Sequence, residues 1–415
     1  MTTTTLQSAA LTEILRRGGP ILGTLNELYN INININNINT NTNNINNSNN
    51  SDIDCGVAVK GNEDKDNINK PSPSPSPILS DWMAHIPDET PIVRMNLPGT
   101  HDTCTWNYTP EVQESLKRYT GPIPDSKIYR CQHRSIFRML NDGIRVLDLR
   151  YAWNPDLESI GFYHSKALLS PTTQLQDVLF GLYTWLDLHR TETILVSMNY
   201  EPGTITGTIS WSDDARLQEA LYDILMGGLA RRYWVRSNGS LGTLGEARGK
   251  LILIQRFDFT LLPEHMTERI GIHLDPGHWI VNGKNTALEY GAGKVAYIQD
   301  YYKIDPSSDS HPSSCITDKL HTVLAHLERA IDPALHPDQL YISFASASFR
   351  AEEPSLTPQV YALGDGKDTA GVNQRLLSWL HEHQGRRFGI VLLDFYDGVP
   401  SLVEAIIGLG QTSDT

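Results

Sequence analysis

The sequence predicts an α/β protein built as a (β/α)8 barrel. Eight short apolar runs suit strands, amphipathic stretches suited to helices lie between them, and most runs meet a polar or charged group at their C-terminal end. The runs lie near residues 92–97, 144–149, 160–163, 193–198, 250–255, 295–299, 340–344 and 388–393. Such alternation also fits an open parallel sheet, but eight strands favour closure. Residues 175–189, 215–226, 316–330 and 372–381 carry apolar side chains at three-to-four spacing, as helices packed on a sheet should.

The strand ends carry the chemistry. The first run leads through Leu97-Pro98-Gly99-Thr100 to His101-Asp102, the second meets Asp148-Leu149-Arg150, and the third meets Tyr163-His164. Later runs close on Gln255-Arg256, Gln299-Asp300 and Leu393-Asp394. A single strand-end acid or arginine most often caps a helix or pairs with a neighbour. Repeated around one rim, these groups point to the C-terminal face where barrel enzymes keep their active sites.

The chain has 415 residues and a formal charge of −14. That charge argues against nucleic acid as a partner, because phosphate binding relies on Lys and Arg. It gives no general attraction to anionic lipid either, so membrane contact is expected to be local and transient. Residues 1–77 read as a low-complexity, disordered tail: a short amphipathic stretch, an Ile/Asn tract and an alternating Pro/Ser segment. The folded part is expected over 78–411. No basic-then-apolar secretion signal and no membrane-length apolar run stands out, which predicts a cytoplasmic or peripheral membrane location, with export by another route open. The cysteines at 55, 104, 131 and 315 lack paired zinc-type spacing, and a Cys104–Cys131 bridge is left open beside free thiols.

The stretch from Met95 through His101-Asp102, on through Gly143-Ile144-Arg145-Val146-Leu147-Asp148-Leu149-Arg150 to Phe162-Tyr163-His164, resembles the catalytic X region of bacterial-type phosphatidylinositol-specific phospholipase C. The likeness is specific over 92–201 and continues more loosely to Asp394. It implies a distorted barrel and a substrate of phosphatidylinositol or its glycosylated form, cleaved by attack of the inositol 2-hydroxyl. Histidine titrates near working pH and serves as base or acid. The resemblance assigns His101 as base with Asp394 orienting it, and His164 as acid with Asp102 beside it. Arg150, held by Asp148, is expected to meet the phosphate charge in place of a metal, so no metal and no cofactor are expected. Arg256 and Asp300 are implied to bind inositol hydroxyls, and Tyr302 to stack under the ring. Asn199, a further headgroup contact, stands where bacterial relatives usually carry lysine, which removes a positive charge and leaves the substrate preference open; without a basic cluster on this rim, polyphosphorylated headgroups are disfavoured. The loop 103–130, with Trp106, Tyr108 and Tyr119, stands where those enzymes carry a membrane-touching helix. A monomer is expected. The alternatives are another barrel phosphodiesterase that needs a metal, such as a glycerophosphodiesterase, and a catalytically silent inositol-lipid binding protein.

Overall fold

The computed structural model describes residues 3–30, 79–201, 214–304, 312–348 and 356–409. Strand β1 spans Leu97–Thr100, β2 Val146–Trp153, β3 Ile160–His164, β4 Ala167–Leu168, β5 Ile194–Tyr200 and β6 Leu251–Arg256. The remaining strands are β7 Ile272–His273, β8 Thr286–Gly291, β9 Lys294–Gln299, β10 Leu340–Phe344 and β11 Ile390–Leu393. Helices α1 to α6 are Thr3–Leu22, Leu25–Leu28, Pro110–Thr120, Ile136–Asn141, Leu175–Leu188 and Ala215–Met226. Helices α7 to α12 are Ala230–Tyr233, Leu244–Ala247, Pro312–Ile331, Pro358–Leu363, Val372–Glu382 and Leu402–Ile407.

The main sheet runs in the order β7-β6-β5-β2-β1-β11-β10-β9-β8, with neighbours parallel except β8, which is antiparallel to β9. It curls into a nearly closed barrel whose seam lies between β7 and β8, where no ladder is formed among the described residues. A distorted (β/α)8 barrel is therefore the observed fold.

Alternation along the strands divides the core in two. Successive strand side chains point to opposite faces. Leu97, Val146, Leu195, Ile252, Ile254, Ile298, Ile342, Ile390 and Leu392 meet inside the barrel. Leu147, Leu149, Val196, Met198, Leu251, Leu253, Val391 and Leu393 pack outward against the helices. Counting on by two from Val146 puts Asp148 and Arg150 on the inward row. The same count brings Ser197 and Asn199 inward on β5, Arg256 on β6, and Asp300 and Asp394 just beyond β9 and β11.

Several expectations need correction. The run 92–97 is not a strand: Ile92–Arg94 is a 3-10 turn closed by Arg94 N–H to Pro91 O and Met95 N–H to Ile92 O, and pairing starts only at Leu97. Gly99 is needed there, because a Cβ would come within 2.7 Å of Leu392 Cδ2 and 2.8 Å of Val146 Cβ. The run 160–163 is not a barrel strand either; β3 folds back antiparallel on β2. Only residues 154–159 separate the two, far too few for the crossover that parallel pairing requires. Its place in the barrel goes to β7, whose two residues give no periodic signal.

The expected start of the folded part near residue 78 is also too late. Helix α1 lies against α5, and Ile21, Leu22 and Leu28 are buried in the outer core. Close approach is possible because Gly181 faces Leu22, whose side chain would lie 2.5 Å from a Cβ there. Arg17 pairs with Asp177 at 2.6 Å, and Trp106 donates its indole N–H to Ile21 O at 2.9 Å. The Ile/Asn tract and the Pro/Ser segment lie outside the described residues. Cys104 and Cys131 are free thiols, so the bridge is not formed. Tyr108 is buried and Trp106 is half-buried against α1, which takes both out of any lipid-facing role for the loop 103–130. Leu22→Ala is expected to destabilise the protein by about 2–5 kcal/mol, as large-to-small changes in a packed core do. A chemical-denaturation midpoint equal to that of the parent would show that α1 contributes nothing to the fold.

Candidate active site

Gln132 joins the ends of two neighbouring strands: its side-chain amide donates to His101 O at 2.7 Å and to Leu393 O at 2.9 Å. That sets His101 beside Asp394, and His101 Nδ1 lies 2.8 Å from Asp394 Oδ1. Asn373 secures the other side by donating to Asp394 O at 2.9 Å. The chain then turns sharply, with Asp102 in the left-handed region at φ 43° and its N–H donating to Asp148 Oδ2 at 3.2 Å. A left-handed aspartate is uncommon and costs energy unless the surroundings hold it.

The turn aims the Asp102 carboxylate at three cationic or imidazole groups. Its Oδ2 is 3.1 Å from His101 Nε2 and 3.2 Å from His164 Nε2, while its Oδ1 is 3.1 Å from Arg150 Nε. His164 ends β3, and its Nδ1 donates to Tyr129 O at 2.6 Å. That bond fixes the tautomer and leaves Nε2 facing Asp102. The two imidazoles stand edge to face with centroids 6.1 Å apart.

Arg150 touches three carboxylates, Asp102 at 3.1 Å, Asp148 at 3.2 Å and Glu201 at 3.4 Å. Burial works against its charge, but these acids outweigh burial and hold the guanidinium firmly protonated. Asp148 also receives Arg256 at 3.3 Å on its other oxygen. His101, Asp102 and Asp148 lie close enough to bind a metal. In this arrangement Asp148 is already occupied on both oxygens by arginines.

Strand register puts Arg150, Asn199 and Arg256 on one level across β2, β5 and β6. These three line a cavity of about 550 Å³ with His101, His164 and Tyr302. Asp300 lies on the same wall and accepts the Trp279 indole N–H at 2.9 Å. Arg256 stacks over the Trp279 ring, 4.1 Å from its centroid. All ten residues singled out from the sequence therefore gather at one end of the barrel.

Burial tunes the acids and bases. It pushes the His101 imidazolium well below the usual histidine range, with the charge of Arg150 acting the same way, so the ring is neutral near pH 7. Burial raises the Asp102 carboxyl to about 7 despite the opposing pull of Arg150. Burial likewise raises Asp394, with repulsion from Asp102 adding to it. Desolvation disfavours the charged form of each group, which is the common cause.

Sequence reasoning missed Glu201, Trp279 and Lys319. Glu201 follows directly on β5 at the barrel end, while Trp279 sits in a loop with no periodic pattern. Lys319 was legible: it occupies an apolar-face position of α9, between Ile316, Leu320 and Val323. It is fully buried, donates to Tyr301 O at 2.6 Å, and burial lowers its pKa to about 7.

The raised Asp102 pKa fixes a stability dependence. A carboxyl whose folded pKa exceeds its unfolded value favours folding through its neutral form, and that advantage is lost as pH rises from about 4 to about 7. Asp102→Asn is therefore expected to melt higher than the parent above pH 7, with the difference shrinking toward pH 4. A difference independent of pH would contradict the shift.

No family model matches the sequence. The 1-phosphatidylinositol phosphodiesterase of Listeria monocytogenes is 24% identical over 314 residues, 76% of this chain and 80% of that one. A variant of the Staphylococcus aureus phosphatidylinositol-specific phospholipase C superposes with a TM-score of 0.60 at 19% identity, covering 81% of this chain and 99% of that one. The Listeria monocytogenes phosphatidylinositol-specific phospholipase C gives 0.53 at 22% identity, covering 80% and 99%. In sequence and in fold, the chain resembles the bacterial phosphatidylinositol-specific phospholipases C.

Proposed function

We propose that the protein cleaves phosphatidylinositol or a glycosylated form of it by attack of the inositol 2-hydroxyl on phosphorus. The products are diacylglycerol and inositol 1,2-cyclic phosphate. The observation that carries this reading is the pair of imidazoles sharing one Asp102 oxygen, with Arg150 on the same carboxylate, at the inner end of a cavity large enough for a sugar headgroup.

His101 takes the proton of the 2-hydroxyl on Nε2. Asp394, 2.8 Å from Nδ1, orients the ring and supports the imidazolium that forms. An internal hydroxyl removes much of the entropic barrier of bringing a nucleophile to phosphorus. His164 protonates the departing diacylglycerol oxygen from Nε2, with its Nδ1–H anchored on Tyr129 O. Asp102, between the two rings, ties base and acid to one charge. Arg150 faces the charge developing on the non-bridging oxygens, so the step needs no divalent ion. Asp148 holds Arg150 and Arg256 in place. Arg256, Asp300 and Asn199 are the groups within reach of inositol hydroxyls, and Tyr302 offers its ring as a platform.

The lipid arrives from a membrane surface. Among the described residues no helix is long and apolar enough to cross a membrane. Ile280 and Val281, 62% and 70% exposed beside Trp279 and the cavity mouth, suit a transient contact with lipid.

With phosphatidylinositol vesicles and a chelator in excess, a five-membered cyclic phosphate resonance is expected in the phosphorus NMR spectrum. His101→Ala and His164→Ala are each expected to slow its formation by about 10²–10⁴-fold without loss of fold. Turnover only after calcium or magnesium is supplied would favour the metal-dependent phosphodiesterase, and binding without turnover under either condition would favour the silent binder.

A further inference from the structure

Cys131 takes no part in the cleavage described above, yet it lies among the residues that do. It is fully buried as a free thiol, with Sγ 4.0 Å from His164 Nδ1. Its sulfur, one Asp102 oxygen and one His164 ring nitrogen lie within 4.8 Å of one another; a second such set joins Cys131 to His101 and Asp394. Asp102 Oδ2 and Asp394 Oδ2 are buried, on residues that are 2% and 1% exposed, and Asp102 Oδ2 faces the two imidazole Nε2 atoms at 3.1 Å and 3.2 Å. A buried carboxylate is costly unless its charge is met, and the neighbours of Asp102 here are groups that ligate metals.

We propose that Cys131, His164 and Asp102, completed by His101, form a binding site for a thiophilic divalent cation of the zinc class, and that filling it switches the protein off.

Tetrahedral zinc takes sulfur at about 2.3 Å and nitrogen or carboxylate oxygen at about 2.0–2.2 Å, which places its ligands roughly 3–4 Å apart. The separations of 3.1 Å and 3.2 Å from Asp102 Oδ2 to the two Nε2 atoms already suit that geometry. The thiol lies within 4.8 Å of the Asp102 oxygen and the His164 ring nitrogen and has to draw closer to reach the ion. Both rings are prepared as ligands, because Tyr129 O and Asp394 engage their Nδ1 atoms and leave Nε2 facing inward. A thiolate, two neutral imidazoles and a carboxylate balance a dipositive ion in charge. The thiolate and imidazoles select zinc over calcium or magnesium, which prefer oxygen ligands.

Binding releases the thiol proton to solvent, and no electron is transferred. The Nε2 lone pair of His101 can then no longer accept the 2-hydroxyl proton. His164 cannot carry a proton on Nε2 to the leaving oxygen. The inhibition rests on the phosphodiesterase reading, whereas the binding does not.

The test titrates the full-length protein with Co²⁺ as a spectroscopic stand-in for zinc. Expected are the intense d–d bands of a four-coordinate ion and a near-ultraviolet thiolate-to-cobalt band. Both should persist in Cys104→Ser, and the thiolate band should vanish in Cys131→Ser. Zinc affinity, measured by chelator competition, is expected to fall at least about tenfold in Cys131→Ser. Cys131→Ala serves the same purpose if the serine variant does not fold. Without metal, Cys131→Ser should retain the turnover of the parent and resist zinc concentrations that silence it. No thiolate band in the parent, or unchanged zinc affinity in Cys131→Ser, would overturn the site. Full turnover at saturating zinc would overturn the switch. A parent that shows the band but cleaves no lipid would count against the phosphodiesterase reading and leave the site standing.

Discussion

The contact on which the site depends is the buried Asp102 carboxylate, held between two imidazoles and a guanidinium. Two effects compete over its charge. Burial disfavours it and Arg150 favours it, and burial prevails by enough to bring the group to about 7. The left-handed backbone at residue 102 is the strain accepted for that position, and the Asp148 carboxylate offsets part of it by accepting the Asp102 N–H.

Placement of everything else follows from the period of two along a strand. Once Val146 enters the barrel interior, Asp148 and Arg150 must follow it inward, and register carries the pattern sideways to Asn199 and Arg256. The lower part of the barrel is filled with Ile, Leu and Val, and the upper part holds charge around a cavity. A rigid apolar plug thus carries an ionised layer, which is how a barrel holds many charged groups in place without unfolding.

Much of this was legible in the sequence where the period was clear. The strand ends at Thr100, Arg256, Gln299 and Leu393 announced the functional rim, because apolar runs stop there against ionisable residues. Two kinds of feature were not legible. Topology depends on connection length as well as pattern, so residues 160–163 looked like a barrel strand although their link to β2 allows only a hairpin. Short or non-periodic elements leave no signal, which hid β7 and Trp279. The docking of α1 was missed for a third reason: composition described the first 77 residues as one material, whereas Ile21, Leu22 and Leu28 are buried locally and Gly181 makes room for Leu22. Lys319, by contrast, is legible as a lysine on an apolar helix face.

The division of labour between the histidines is the central chemical claim, and leaving-group chemistry tests it most directly. The rates of parent, His101→Ala and His164→Ala would be compared on two inositol phosphodiesters, one releasing an aliphatic alcohol and one releasing nitrophenol. An acid is needed only for the poor leaving group. The defect of His164→Ala should therefore nearly disappear on the nitrophenyl substrate while that of His101→Ala remains. Equal defects of His164→Ala on both substrates would contradict its role as the acid.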